Sequence, residues 1–215
     1  ERVAREALAQ VRRAVSGIVD AFDFRFGGFG RDSKFPQTPL IDLLLAEFRR
    51  TGESRLRDAA LMSLEAMAER SDGQRGLVDA DGGFFRYCGQ RDWTEPRYER
   101  LLADQAQLLD TYLSAFQLTA EPRWASVASG IVEFLRKSMF EPRRHVFLGS
   151  QSAVGGDVYY VLEPSYRSAS AAPSVDRAAF VGTNAQTASA FIHAGCVLAD
   201  DAALESGVGL ADALA

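Results

Sequence analysis

Residues 82–106 read GGFFRYCGQRDWTEPRYERLLADQA and form the stretch that best predicts the fold. No other part of the chain is as dense in aromatic and charged side chains. Pro96 stands where a first helical residue is expected, behind Thr94 or Glu95 as a cap, and this pattern is a strong signal for a helix start. The stretch therefore predicts a short strand at residues 84–87 that leads into an apolar helix beginning at Pro96.

Helix pairs lie on both sides of the glycine-rich start of this stretch. Residues 40–50 are apolar nearly all round, which indicates a helix buried on most sides. Gly52 is expected to end this helix, and Ser54 to cap the next one. The helix after Pro96 carries an apolar stripe, and Pro122 starts its partner after a short polar turn.

The two pairs are internal repeats. A shift of 68 residues places Phe48 on Phe116 and Thr51 on Thr119. A weaker third copy surrounds the turn at residues 199–201, and an amphipathic helix that ends near Ala21 precedes the first pair. Helix, short turn and helix, repeated along the chain, is the pattern of stacked helical hairpins.

The insertions between the pairs are long and carry β-strand signals. Residues 145–149 and 158–162 are expected to form a hairpin around a Gly-Gly turn, and residues 163–176 are expected to be loose. Because every insertion precedes the more apolar helix of a pair, the insertions are expected to gather at one mouth of a toroid. We therefore predict an all-α fold, with about seven helices over residues 1–215 forming part of an α/α toroid with minor β-hairpins.

Composition excludes several classes of function. The 215 residues are 47% hydrophobic and 25% charged, with a formal net charge of −5, which argues against nucleic acid or an anionic membrane as the main partner. No apolar run reaches the roughly 18 residues of a membrane span. The N-terminus is amphipathic and unlike a signal peptide, so a cytoplasmic protein is expected. The chain does not begin with Met, and we expect it to be a piece of a longer protein.

Cysteine and histidine are too sparse to predict a metal or cofactor site. Cys88 and Cys196 are far apart and are expected to be free thiols, and His145 and His193 are isolated. The GGFG at residues 27–30 lacks the Lys-Ser/Thr of a phosphate-binding loop. We predict neither a metal nor a cofactor.

Two motifs resemble a known family. GGFG followed by KFP at residues 27–36, and GGFxRY…DWxxPxxExxLxDxA at residues 82–106, resemble the DUF255 family, also described as YyaL-like or spermatogenesis-associated-protein-20-like. The resemblance covers roughly residues 15–200. It implies an (α/α)6 toroid related to six-hairpin glycosidases and N-acylglucosamine 2-epimerases. It also implies an N-terminal thioredoxin-like domain, which we expect to be absent from residues 1–215.

The chain departs from the family pattern at three histidines. Ala80, Phe85 and Arg97 stand at those positions, whereas the acidic residues Asp79, Glu99 and Asp104 are retained, and Gln105 replaces an Asn. The resemblance thus implies a divergent, truncated member without the family's imidazoles.

The acidic and aromatic residues of the central stretch are the candidate ligand-binding site at the toroid mouth. They are Arg86, Tyr87, Trp93, Glu95, Glu99 and Asp104. Trp93 would stack on a sugar ring, and the carboxylates would accept hydrogen bonds from hydroxyls. The competing structural interpretation has Arg86 and Arg97 neutralise the carboxylates, with Arg100 and Asp104 paired one helical turn apart.

Two functions remain open at this point. One is carbohydrate-related binding, or a degenerate sugar-active enzyme, with a small carbohydrate ligand. The other is a non-catalytic scaffold or partner-binding module linked to thioredoxin-type redox or protein quality control, which the lost histidines favour. Half a toroid would also leave an open seam, through which self-association is expected.

Overall fold

The computed structural model describes residues 2–69 and 76–215. Its α-helices are α1 (Arg2–Asp20), α2 (Thr38–Thr51), α3 (Ser54–Ala68), α4 (Leu102–Thr119), α5 (Pro122–Phe134), the single-turn α6 (Gly156–Tyr159), α7 (Val181–Leu198) and α8 (Asp201–Leu214). A π-helical turn at Leu135–Met139 continues α5, and a 3-10 helix spans Pro164–Ala169. Over the described ranges seven of the α-helices have 13 or more residues, as the sequence predicts.

Short strands connect the helices. They are β1 (Tyr87–Cys88), β2 (Pro96–Arg97), β3 (Arg100–Leu101), β4 (Phe140–Glu141), β5 (Val146–Phe147), β6 (Ser150–Gln151) and β7 (Val175–Asp176). β1 pairs with β2 and β4 with β5, while β6 lies between β3 and β7, and all these pairs are antiparallel.

The three predicted helical hairpins are confirmed as α2–α3, α4–α5 and α7–α8. The leading helix of each pair ends at a residue in the left-handed region: Gly52 at φ 74°, Ala120 at φ 55° and Ala199 at φ 54°. In each case the backbone N–H of that residue donates to a carbonyl of the last helical turn, as a left-handed helix cap requires. The repeat therefore extends to the backbone conformation of the turns.

The leading helices α2, α4 and α7 pack side by side, and α3, α5 and α8 each pack against their own leading helix. This arrangement gives an inner and an outer row. The core lies between the rows, where Tyr112 of α4 packs on Trp124 of α5 and donates its hydroxyl proton to the carbonyl of Leu64 at 2.8 Å. The long connections all precede an inner helix, so they gather at the N-terminal ends of that row.

The predicted helix start at Pro96 is wrong. Pro96 lies in β2, opposite Cys88, and α4 begins six residues later at Leu102. Trp93 at φ 64° and Glu95 at φ 58° turn the chain back on itself. The backbone N–H of Gly89 then donates to the carbonyl of Glu95 at 2.9 Å. The hairpin thus supplies main-chain partners that a helix start at Pro96 would leave unused.

Other local predictions also need correction. The predicted strand at residues 84–87 is reduced to β1 and a single bridge between Val78 and Phe84. The predicted hairpin of residues 145–149 with 158–162 does not form, because β5 pairs with β4 and residues 156–159 are helical. The cap of α3 is Glu53 rather than Ser54, with no side-chain hydrogen bond. Residues 163–176, expected to be loose, contain the 3-10 helix and β7.

The GGFG…KFP motif forms a loop around a fully buried lysine. The ammonium of Lys34 donates at 2.9 Å to the carboxylate of Asp23 and to the carbonyls of Gly27 and Gly30. Arg91 from the next insertion reaches the same carboxylate at 2.6 Å. These hydrogen bonds hold the pKa of Asp23 well below its usual range, although burial opposes them. The motif therefore joins two insertions at one buried charge.

The left-handed alanines predict stabilising substitutions. Because glycine enters the left-handed region without the steric cost of a Cβ, Ala120→Gly and Ala199→Gly should each raise the free energy of unfolding by about 0.5–1 kcal/mol. Gly52→Ala, the matched reverse change, should lower it by a similar amount. Urea denaturation followed by circular dichroism measures all three. Destabilisation by both alanine-to-glycine changes would contradict the cap assignment.

Candidate functional site

Three of the candidate site residues come together at the N-terminal end of α4. The Arg86 guanidinium donates to the Glu99 carboxylate at 2.5 Å. The main chains of the same two residues are also bonded, with the Arg86 N–H donating to the Glu99 carbonyl at 2.8 Å. Asp104 lies in the first turn of α4, and the charges of both Arg86 and Glu99 act on its pKa. We call Arg86, Glu99 and Asp104 the mouth cluster.

The pKa of Asp104 is raised within the mouth cluster. Burial raises its pKa to about 6, with Arg86 opposing the rise and Glu99 adding to it. A carboxyl group with this pKa is present in both protonated and ionised forms near neutral pH, so it can donate as well as accept a hydrogen bond. Asp104 therefore differs chemically from an ordinary surface carboxylate.

Tyr87 and Glu95 lie on the same hairpin but are engaged separately. The ring of Tyr87 stacks on that of Phe35, with centroids 4.5 Å apart and planes at 13°. Phe35 keeps 40% of its surface exposed. Glu95 is exposed and accepts a hydrogen bond from Gln90 at 3.1 Å. Its carboxylate lies 3.8 Å from the Arg97 guanidinium.

The structure does not bring Trp93 to the mouth cluster. Its side chain is 3% exposed, and its indole N–H donates to the carbonyl of Phe26 at 2.8 Å. A Cβ on Gly28 would lie 2.6 Å from the ring, so the tryptophan side chain fits here because residue 28 has no side chain. With Trp124, it lines a cavity between the outer helices α3 and α5. Its ring offers no solvent-facing surface for stacking a ligand at the mouth.

The expected pairing of Arg100 with Asp104 does not form. Arg100 is fully buried in β3, where its guanidinium donates to Asp81 at 2.7 Å and lies 3.1 Å from Asp79. The guanidinium also lies 4.6–4.8 Å from three ring centroids, those of Phe85, Phe134 and Tyr160. Because Arg100 lies in β3 and α4 begins at Leu102, Arg100 and Asp104 are not one helical turn apart on the same helix. This leaves Arg86 as the cation that lowers the pKa of Asp104.

Sequence reasoning missed the partner of Asp79. Arg167, in the 3-10 helix, donates to both carboxylate oxygens of Asp79 at 2.5 and 2.9 Å. It also donates to the carbonyls of Tyr160 and Leu162. No spacing in the sequence connects positions 88 residues apart, so only the fold reveals this pair.

Polar contacts between inner helices were also missed. Thr38 of α2 donates to the side-chain oxygen of Gln107 on α4 at 2.9 Å. His193 of α7 makes ring contacts with Asp110 at 2.6 Å and with Gln117 at 3.2 Å, both on α4. The separation of Asp104, Gln107 and Asp110 by three residues each was the available signal, because such positions share one face of a helix.

Both cysteines are free, with Cys88 buried and Cys196 exposed, and burial raises the pKa of the Cys88 thiol to about 12. Over residues 2–69 and 76–215 no three His, Cys, Asp or Glu side chains are grouped so that they could hold a metal ion. In the same ranges no helix is long and apolar enough to cross a membrane.

Comparison with curated proteins identifies relatives. Human spermatogenesis-associated protein 20 is 34% identical over 132 residues, which cover 59% of this chain and 16% of the relative. The uncharacterized protein B0495.5 of Caenorhabditis elegans is 39% identical over 101 residues, covering 46% of this chain and 14% of that protein. The chain is homologous to part of spermatogenesis-associated protein 20. It matches about a sixth of that protein's length.

No family model matches the chain, so membership of the DUF255 family stays a prediction.

Solved structures confirm the toroid fold. Cellobiose 2-epimerase from Bacillus thermoamylovorans B4167 superposes with a TM-score of 0.72 at 11% identity, covering 97% of this chain and 55% of that one. D-mannose isomerase superposes with a TM-score of 0.68 at 13% identity, covering 95% of this chain and 50% of that one. An unsaturated glucuronyl hydrolase specific for heparin gives 0.69 at 12% identity, with 93% and 53% covered. The inner and outer rows thus correspond to about half of each of these chains. The toroid neighbours are carbohydrate-active enzymes.

The acidity of Asp104 predicts a pH-dependent effect on stability. Its pKa rises from about 3.9 in an unfolded chain to about 6 in the fold, so its ionisation opposes folding. The resulting decrease in the free energy of unfolding begins above pH 4 and is complete above pH 6. Asp104→Asn should therefore raise the free energy of unfolding at pH 7 by about 1–2 kcal/mol, with no gain below pH 4.

Urea denaturation of both proteins between pH 3.5 and pH 8 measures this difference. The exposed Glu95→Gln serves as the control and should show no comparable pH-dependent gain. If Asp104→Asn increased the free energy of unfolding equally at every pH, the result would contradict the raised pKa of Asp104.

Proposed function

We propose that the chain is part of a toroid that binds a small carbohydrate at its mouth, with the mouth cluster as the binding group. The observation that carries this proposal is the juxtaposition of Arg86, Glu99 and Asp104 beside the inner helix α4, with Asp104 held near pKa 6. Carboxylates and a guanidinium at one point can accept from and donate to neighbouring sugar hydroxyls. The carbohydrate-active neighbours of the same fold support the choice of ligand class.

The two carboxyl groups of the cluster would have different roles. Glu99 is oriented by Arg86 through both side chain and main chain, so it would serve as a fixed acceptor for a hydroxyl. Asp104 exchanges its proton near neutral pH, so it would donate to a ring or hydroxyl oxygen when protonated. Sugar chemistry also employs two carboxyl groups in different roles, and a residual reaction at this point would use Asp104 as its acid.

The ring stack of Tyr87 on Phe35 would supply the apolar face that Trp93 does not. Phe35 is partly exposed and Tyr87 adjoins Arg86 in the chain. An aromatic face beside polar groups is a common arrangement for binding an amphipathic ring. We therefore assign Phe35, which the sequence did not suggest, to the proposed binding surface.

The alternative is a non-catalytic scaffold linked to thioredoxin-type redox or protein quality control. It is favoured by the mutual pairing of Arg86 with Glu99 and of Arg97 with Glu95, which satisfies these charges without a ligand. We propose a cytoplasmic location for either function, consistent with two free cysteines. We also propose self-association through the open seam of the partial toroid.

Ligand titration tests the carbohydrate proposal. Backbone NMR spectra of the chain, recorded with mannose, cellobiose and glucuronate at pH 6, should show shifts centred on residues 84–104. Glu99→Gln and Asp104→Asn should each weaken binding about tenfold or more, the usual effect of losing a hydrogen bond to a charged group. Glu95→Gln is the matched control on the same hairpin and should change the affinity less than about twofold.

Two results would count against the proposal. One is the absence of shifts with all three sugars at millimolar concentration. The other is an affinity that neither cluster variant changes. Either result would favour the scaffold.

A further inference from the structure

Two inner helices place a side-chain amide at the same position of the repeat. Gln105 precedes the left-handed Ala120 at the end of α4 by 15 residues, and Asn184 precedes Ala199 at the end of α7 by the same number. Each is the fourth residue of its helix and at most 1% exposed. The two amides are thus equivalent in the repeat, although the insertions before them differ in length and sequence.

Gln105 bonds to both polar groups of one peptide residue. Its side-chain oxygen accepts the backbone N–H of Phe84 at 2.9 Å, and its side-chain N–H₂ donates to the Phe84 carbonyl at 2.8 Å. A primary amide and an extended residue match each other in this way, with one donor and one acceptor on each side. Because the contact is buried, water cannot substitute for it.

Asn184 repeats the arrangement at the next insertion. Its side-chain oxygen accepts the N–H of Phe147 at 2.7 Å, and its N–H₂ donates to the Phe147 carbonyl at 2.9 Å. The same amide group also donates to the Phe180 carbonyl at 3.0 Å. Recurrence with a phenylalanine of an unrelated insertion indicates a docking contact that α4 and α7 each make with the insertion before it.

We propose that Gln105 is a positioning residue of the mouth cluster, which fixes Arg86 against Asp104 by docking Phe84 on α4. Asp104 and Gln105 are neighbours in the first turn of α4, so the clamp and the acid share one rigid element. Two residues beyond Phe84, the Arg86 N–H donates to the Glu99 carbonyl. The segment from Phe84 to Arg86 is therefore held at both ends.

Loss of the amide would move this segment. A buried N–H and a buried carbonyl without partners are costly, and the backbone of Phe84 would shift to find new ones. The interaction between Arg86 and Asp104 weakens as their separation grows. The relevance of this positioning to a ligand rests on the proposed function, whereas the positioning itself does not.

The experiment measures the coupling between Arg86 and Asp104 without any ligand. Carbon-13 NMR of the aspartate carboxyl groups gives the pKa of Asp104 with and without Arg86→Met. Because Arg86 lowers this pKa, the substitution should raise it in the otherwise unchanged chain. In a Gln105→Met background, Arg86→Met should raise the pKa of Asp104 by about half as much or less, because Arg86 is no longer held near Asp104.

Asn184→Leu is the matched control. It removes the equivalent clamp from the other insertion and should lower the melting temperature as Gln105→Met does, yet leave the Arg86–Asp104 coupling unchanged. A purely structural role for Gln105 would give the same coupling in all three backgrounds. That result, or an equal loss in the Asn184→Leu background, would overturn the proposal.

Hydrogen exchange covers the case in which Gln105→Met does not fold. The Phe84 amide should be protected in the unchanged chain, and Gln105→Asn, which keeps the amide on a shorter side chain, should lose about tenfold of that protection. Rapid exchange of the Phe84 amide in the unchanged chain would refute the clamp. Absence of sugar binding would leave these results intact, so the two proposals fail separately.

Discussion

The buried ion pair between Arg100 and Asp79 is the constraint on which the arrangement of the mouth depends. Arg100 is fully buried, and Asp79 is 7% exposed in its side chain, so neither charge is solvated by water. Burying a charge is tolerated only where partners compensate for the lost hydration. The partners are Asp81 on the same insertion and Arg167 and Gln151 on the next one. Two insertions with little regular structure of their own are thereby fixed to each other and to β3.

A second buried cation has the same effect on the other side. Lys34 and Arg91 both contact Asp23, so the first insertion is fixed to the hairpin of β1 and β2. Burial lowers the pKa of Lys34, but the carboxylate partner opposes the change. The charged side chains that hold the insertions together therefore form ion pairs with one another, at Asp23 and at Asp79, and not with Asp104. Asp104 is left with Arg86 as its neighbouring cation, which is why burial determines its acidity.

The helical hairpins could be predicted from the sequence because their signals are local. Apolar periodicity marks the helices, and the turns recur at a fixed distance from Phe48 and Phe116. The start of α4 could not be predicted, since the preference of Pro96 for a first helical position competes with the partners that the β1–β2 hairpin supplies. A local preference is a weak guide where tertiary contacts satisfy the same backbone groups.

The candidate site was predictable only where its residues lie close together in the sequence. Arg86, Glu99 and Asp104 come together because they flank one chain reversal. Trp93 lies elsewhere because its burial depends on Gly28, 65 positions earlier in the chain. No periodicity encodes such a contact, and an exposed aromatic and a buried one look alike in a sequence.

The structure also shows what surrounds Phe85 and Arg97, two of the positions at which the resemblance to the DUF255 family implies histidines. Phe85 packs against the rings of Tyr98 and Tyr160 and under the Arg100 guanidinium, so a hydrophobic ring now occupies one of those positions. Arg97 is exposed and pairs loosely with Glu95. Phe85 belongs to the hydrophobic core beneath the buried Arg100, whereas Arg97 lies outside both the core and the buried ion pairs. A core phenylalanine and an exposed arginine are thus both compatible with the scaffold, while the carboxyl groups of Glu99 and Asp104 stay beside α4.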